Sequence, residues 1–460
     1  MQRTASRARL EEDLAAVDAL IKQPAATAEE LRERLERVYS AMFEVSLDRY
    51  DLKEVAAVAP DLMRAIFTLR LHLRAQVPEW HRRGFMTLPV QTALRNALRA
   101  GRYATDMLGE LNTGFAVLGP DEKTLRAFRG AKMNTLVNPA FETGGDLPFQ
   151  AGDLLLMRGM HHNSAAIARV GDIDSQFSHI AIVHTDEQGR QWVVEALIED
   201  GSVVNSLDDV LHHDLGRCVV LRHKDAALAR RAAASIFDYV RGTQAPRGRH
   251  IWYDFSMQLE GTRELFCSKL VRLAFQKASD GKVALPTFNT RFDMKNRDFV
   301  DRIGVTARES FAPADILLEP DFDIVAEWQD YRVTSRLRLQ DLLMDKLFYW
   351  MDEYGYTFRP DFSIRLIGMF GRLSSRLSER TKKLISDVVP KVPPNMSRSA
   401  IQAVAMLHKT AEPLLQELLA LERRSIAENG RPLHVRDVFQ FLEDKRAQSG
   451  GRIGYLAGKS

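Results

Sequence analysis

The apolar residues of this chain change their period twice, and those changes constrain the fold more than any composition figure does. As far as about residue 145 they follow helical spacing. Leu31, Leu35, Val38, Met42 and Val45 recur three or four apart behind Thr27 and Glu30, which read as a capping box. A second helical stretch runs from Asp61 toward Val77, where Pro78 is expected to stop it, and a third begins near Pro89. The cluster Gly144-Gly145-Asp146-Leu147-Pro148 then reads as a linker.

From Gly152 the signal switches to short β-rich runs bounded by Gly, Asp or Asn: Leu154 to Met157, His179 to His184, Gln191 to Leu197 and Arg217 to His223. Helical spacing returns at Asp225 to Val240 and again after Cys267, so this block is expected to be an α+β unit with an antiparallel sheet. Three regions follow: a helical region over 1–146, the mixed unit over 147–330, and a helical region over 331–460 broken at Pro390 to Pro394. The segment Gly450 to Ser460 reads as a polar tail. Its Gly454-Tyr455-Leu456-Ala457-Gly458-Lys459-Ser460 string imitates a phosphate loop, but it is one residue short between the glycines and no helix follows.

A chain of 460 residues with 45% hydrophobic content can bury a sizeable core. Its two cysteines argue for a reducing compartment rather than a disulfide framework. Met1 to Asp13 is charged and lacks the apolar centre of a signal peptide, and no run approaches the roughly 18 apolar residues of a membrane span. A cytoplasmic protein is expected. A net charge of +3 gives no reason to expect nucleic acid as a partner.

Chemistry concentrates at Phe266-Cys267-Ser268-Lys269, where a cysteine opens an apolar helical stretch. Free N–H groups and partial positive charge at a helix start favour thiolate over thiol and can bind an oxyanion. A nucleophilic cysteine needs a base in hydrogen-bond reach and a group to orient that base. His179 and Glu195 are the best candidates. They lie on runs joined by a short link, Thr185 to Arg190, so the two strands should form a hairpin. With the turn centred on Glu187, His179 faces Glu195. Each residue also has a structural reading: a buried small hydrophobe for Cys267, an arginine partner for Glu195, and ring packing for Tyr253. Cys218, inside Arg217-Cys218-Val219-Val220-Leu221, is expected to be core.

Over residues 148 to 330 these features resemble the bacterial permuted papain-fold amidases, the YiiX/YaeF-like relatives of NlpC-type cell-wall peptidases. The likeness rests on Ala151-Gly152-Asp153-Leu154-Leu155, Phe177-Ser178-His179-Ile180-Ala181-Ile182-Val183, Val194-Glu195-Ala196 with Gly201-Ser202-Val203, Trp252-Tyr253-Asp254 and Phe266-Cys267-Ser268-Lys269-Leu270-Val271. Ala312-Pro313-Ala314-Asp315-Ile316-Leu317 and Phe322-Asp323-Ile324-Val325 close the resemblance. The histidine precedes the cysteine, as the circularly permuted branch requires. The resemblance implies Cys267 as nucleophile, His179 as general base and Glu195 as orienting residue in a cysteine hydrolase that forms a thioester. Tyr253, Asp254, Ser178 and Ser268 are candidates for lining the site. Lys269 departs from the family, whose members often carry Glu after Cys-Ser, and this leaves substrate preference open.

The scissile bond is an amide or an ester, and a phospholipid acyl hydrolase or acyltransferase is the sharper alternative. Between Arg359 and Lys391 there are eight basic residues against three acidic ones. On a helix, Arg365, Arg372, Arg376 and Lys383 share one stripe, and Leu366, Phe370, Leu373, Leu377 and Leu384 another, a pattern that suits peripheral contact with an anionic membrane or the rim of a bundle helix. A third alternative is an inactive ligand- or partner-binding module. No cofactor is expected. The pairs His161-His162 and His212-His213, with Cys218 and His223, match no zinc spacing, so no metal is expected either.

Overall fold

Four helices open the chain: α1 (Arg3–Lys22), α2 (Ala28–Phe43), α3 (Leu52–Arg82) and α4 (Leu88–Asn112). The computed structural model describes residues 3–114, 127–128, 134–142, 145–171, 175–212, 215–245, 248–370 and 392–458. At the start of α2 the Thr27 hydroxyl accepts from Glu30 N (3.1 Å), while the Glu30 carboxylate reaches back to Ala26 N rather than to the cap residue. α3 differs from the sequence expectation at both ends. Asp51 caps it nine residues ahead of Pro60, and it continues through Pro78 to Arg82. Pro78 forfeits one backbone bond near the helix end, and the burial of Trp80 one residue beyond the next offsets that loss.

The middle of the chain builds a seven-stranded antiparallel sheet whose strands lie side by side in the order Thr135–Val137, Phe322–Gln329, Leu215–His223, Leu154–Gly159, His179–Thr185, Gln191–Leu197 and Gly201–Ser206. In chain order its parts are β1 (Thr135–Val137), β2 (Leu154–Gly159), α5 (His162–Arg169), β3 (His179–Thr185), β4 (Gln191–Leu197), β5 (Gly201–Ser206), α6 (Leu207–His212), β6 (Leu215–His223), α7 (Ala226–Gln244) and α8 (Cys267–Ala278). After these come β7 (Thr290–Arg291), α9 (Asp298–Ile303), β8 (Glu309–Ser310) and β9 (Phe322–Gln329). Alternation sorts the faces: Leu154, Leu156, Ile180, Ile182, Val194 and Leu221 pack with α7, α8 and the N-terminal helices. Leu155, Met157, Ala181, Val183, Val193 and Cys218 pack on the other side with Trp328 and α6. β1, ahead of the Gly-rich segment, joins this sheet by pairing with β9.

A second core is built from α10 (Thr334–Tyr354), α11 (Phe362–Phe370), α12 (Arg398–Asn429) and α13 (Val435–Gln448), and it also takes in α5 and α9 residues. As far as Gly458, the expected polar tail is instead structured. β11 (Arg452–Ile453) and β12 (Leu456–Ala457) form a hairpin whose strand β12 pairs with β10 (Thr357–Phe358). Gly450, Gly451 and Gly454 supply left-handed backbone there, and Ile453 and Leu456 are buried. Among the described residues no helix is long and apolar enough to cross a membrane.

Buried ion pairs link the helical regions to the sheet. Arg70 of α3 meets Glu327 of β9, and Arg217 of β6 meets Asp106 of α4 at 2.5 Å. Arg158 of β2 meets Asp341 of α10 at 2.7 Å. Arg338 of α10 bridges Glu110 of α4 (3.0 Å) and Glu422 of α12 (2.5 Å).

Candidate active site

Cys267 is the first residue of α8. Phe266, the residue before it, adopts extended backbone and makes no side-chain cap bond, so no side chain of the cap competes for the first-turn N–H groups. α8 packs against β3, where the Ile180 N–H hydrogen-bonds the Cys267 sulfur, and Ser268 Oγ lies 3.8 Å from that sulfur. The sulfur also hydrogen-bonds His179, the first residue of β3. The Nε2 atom of His179 lies 2.7 Å from Glu195 Oε2, which leaves Nδ1 for the thiol. Asn205 Nδ2 of β5 donates to the other oxygen of Glu195 at 2.8 Å. The arrangement is a continuous chain of hydrogen bonds, Cys267–His179–Glu195–Asn205.

The hairpin geometry corrects the expected register. Ile182 pairs with Val194 and Thr185 with Gln191, so the turn centres on Gln188 and not on Glu187. The Asp186 carboxylate sets that centre by accepting from Gln188 N (3.0 Å) and Arg190 N (2.9 Å). A slip of two residues preserves the face, whereas a slip of one reverses it. His179 and Glu195 therefore meet diagonally instead of directly opposite one another, beyond the last β3–β4 pair.

Burial disfavours charge on both Cys267 and His179, but their mutual interaction outweighs it. The Cys267 thiol is lowered from its ordinary value, against burial, by the His179 hydrogen bond and charge, the Ile180 N–H and the Ser268 hydroxyl. His179 is pushed up to about 10, again against burial, by Cys267 and Glu195. Together these shifts favour a thiolate–imidazolium pair. Cys218 shows the opposite behaviour. It sits mid-strand in β6, fully buried, and desolvation pushes its thiol up.

The remaining candidates divide. Tyr253 and Ser268 line the same cavity as Cys267. Asp254 turns away from it into a buried pair with Lys269 Nζ (2.7 Å), and its other oxygen accepts from Ser256 N (3.0 Å). The departure at Lys269 is thus answered by Asp254, and neither residue faces the cavity. Ser178 points elsewhere, its Oγ accepting from Gly159 N at 3.4 Å. Of the basic stripe, Arg365 is exposed on α11, and Arg372, Arg376 and Lys383 lie outside the described residues. His162 Nε2 lies 2.7 Å from Glu412 Oε2, and His212 Nδ1 lies 2.9 Å from Asp208 O.

Two residues escaped the sequence reading. Asn205 looked like an ordinary polar position on a short strand; only the β4–β5 register, with Glu195 opposite Val203, brings it diagonally to the carboxylate. Glu199, in the turn between β4 and β5, lines the cavity, and burial raises its carboxyl above the usual range while nearby His161 and His179 oppose the shift. A Glu-Asp-Gly turn gives no sign in sequence that its first residue points inward.

Residues 148–326 match a family described as permuted papain-like amidase enzyme, YaeF/YiiX, C92 family. The match covers less than half of the chain and leaves both helical flanks outside it. No curated protein and no solved structure matches the chain. The central unit has a circularly permuted papain-like fold, and the matched family supports a cysteine hydrolase in general terms.

Proposed function

We propose that this protein cleaves an amide or ester bond through a thioester acyl-enzyme, with Cys267 as nucleophile, His179 as general base and acid, and Glu195 as the residue that orients and charges the imidazole. The observation that carries this reading is the hydrogen-bond chain from Cys267 through His179 and Glu195 to Asn205. In acylation the Cys267 thiolate forms an S–C bond to the substrate carbonyl. Backbone N–H groups in the first turn of α8 receive the oxyanion, and the His179 imidazolium gives its proton to the departing nitrogen or oxygen. In deacylation water or another acceptor passes a proton to His179 and attacks the thioester. The S–C bond then breaks and the thiolate–imidazolium pair is restored.

The family match favours an amide, and the apolar cavity beside Cys267 favours an acyl lipid substrate as a second reading. Incubation with peptidoglycan fragments and with phospholipids, followed by mass analysis of products, separates the two. Peripheral contact with anionic membrane is tested by vesicle flotation: binding that survives replacement of Arg365, Arg372 and Arg376 by Glu eliminates the basic stripe as the contact. A binding-only module is tested by an electrophilic thiol probe. Selective labelling of Cys267 over Cys218, lost in His179→Ala, supports the enzyme. Equal labelling of both thiols contradicts it.

A further inference from the structure

The cavity that begins at Cys267 runs between three parts of the molecule. α5 contributes Ile167, the segment around α9 contributes Phe292, Phe299 and Val300, and the C-terminal region contributes Met396 and Val404. Its polar side chains are Glu199, Asn163, Tyr253, Ser268 and Ser310, together with the Cys267 thiol, and among the described residues no Lys, Arg or His lines it. A charged peptide stem would enter this space without a cationic partner for its carboxylates, at a large desolvation cost. An aliphatic chain would meet mostly aliphatic and aromatic side chains. Met396 and Val404, from outside the matched family segment, close one of those walls, so the cavity is a property of the whole chain and not of the papain-like unit alone.

From this cavity we infer that the acyl group transferred to Cys267 carries an aliphatic chain, and that Val300 of α9 and Val404 of α12 set how much of that chain is accepted. The inference rests on the proposed thioester chemistry and names the substrate class for it. The chain lies on the carbonyl side of the scissile bond, so it stays with the enzyme after the leaving group departs. Each methylene moved from water into the cavity adds to the binding energy of the acylation transition state.

The test uses the full-length protein and 4-nitrophenyl esters of acetic, butyric, hexanoic and octanoic acids. Acylation forms the Cys267 S–C bond and releases 4-nitrophenolate, which is followed by its absorbance, and intact mass locates the acyl group; Cys267→Ala supplies the background. The expected second-order acylation rate rises roughly three- to fourfold per added methylene. Val300→Trp and Val404→Trp, placed on different elements, each lower the octanoyl-to-acetyl rate ratio at least tenfold. Acetylation of Cys267 with a flat or falling chain-length series overturns the inference and leaves the thiol chemistry intact. A ratio unchanged in both folded variants overturns it as well, and the wild-type series decides the matter if the variants fail to fold. If no ester, acetyl included, acylates Cys267, the thioester reading falls and takes this inference with it.

Discussion

At the scale of single residues, Cys267 and Cys218 have the same side chain and are both buried, but their thiols shift in opposite directions. The difference is His179, which faces one sulfur and not the other. With Cys267 lowered and His179 pushed up to about 10, the expected ion pair spans from below the ordinary thiol value up to about pH 10. The rate kcat/KM should therefore rise at a pH below that of a free thiol and fall again as the imidazolium loses its proton near pH 10. Glu195→Gln removes one of the two groups that raise His179, so its alkaline limb should move to lower pH. His179→Ala should cost about 10²- to 10⁴-fold in kcat/KM. Lys269→Met tests the buried pair away from the reacting atoms. It leaves Asp254 without its cation and should cost about 3–5 kcal/mol by chemical denaturation, with Asp254→Asn in the same chain recovering part of the loss.

At the scale of elements, the β3–β4–β5 meander decides whether the site assembles. Gly201 opens β5 with φ +66, and a Cβ there would lie 2.2 Å from Ile251 O. Gly201→Ala adds a backbone collision to a left-handed strain of about 1–3 kcal/mol, so it should lower stability by more than that range. The shift of β5 should also draw Asn205 from Glu195, which a drop in the alkaline limb of the pH profile would report. Much of this meander was legible in sequence. Runs such as Ile180–Val183 and Val193–Ala196 bury both faces and are short and β-branched, which separates them from the helices around them. The meaning of the order His179, Glu195, Cys267 came from the resemblance to the permuted family and not from strand patterning. The register was not, because it depends on which atoms the Asp186 carboxylate accepts, a choice made in three dimensions. The ends of α3 and the C-terminal hairpin were misread because Pro78 and the glycines near residue 450 signal a break, while the burial of Trp80 and Leu456 overrides that signal.

At the scale of the whole molecule, the helical regions bear on the site in two ways. Arg102 of α4 lies with its guanidinium 4.6 Å from the centroid of Phe177, and Arg217 Nη1 donates to Gln176 O at 3.2 Å, so the segment leading into His179 is held from outside the family match and from β6. Buried carboxyls in the same network are pushed upward by desolvation, Asp106 to about 6 and Glu110 to about 7, and Glu319, in the loop before β9, is likewise raised to about 7. Each binds its proton more tightly folded than unfolded. Stability contributed by these groups should therefore grow as pH falls from about 8 toward 5, and a melting temperature that declines across that interval would contradict the assignment. The central claim is that the fold brings one thiol, one imidazole and one carboxylate into a single reactive unit. Its most direct measurement is the pH dependence of iodoacetamide alkylation at each cysteine, read by peptide mass. The expected result is a Cys267 rate that reaches its plateau below the pH of a free thiol, shifts upward in His179→Ala, and greatly exceeds that of Cys218. A Cys267 that titrates like an ordinary thiol, and is indifferent to His179, would contradict the account.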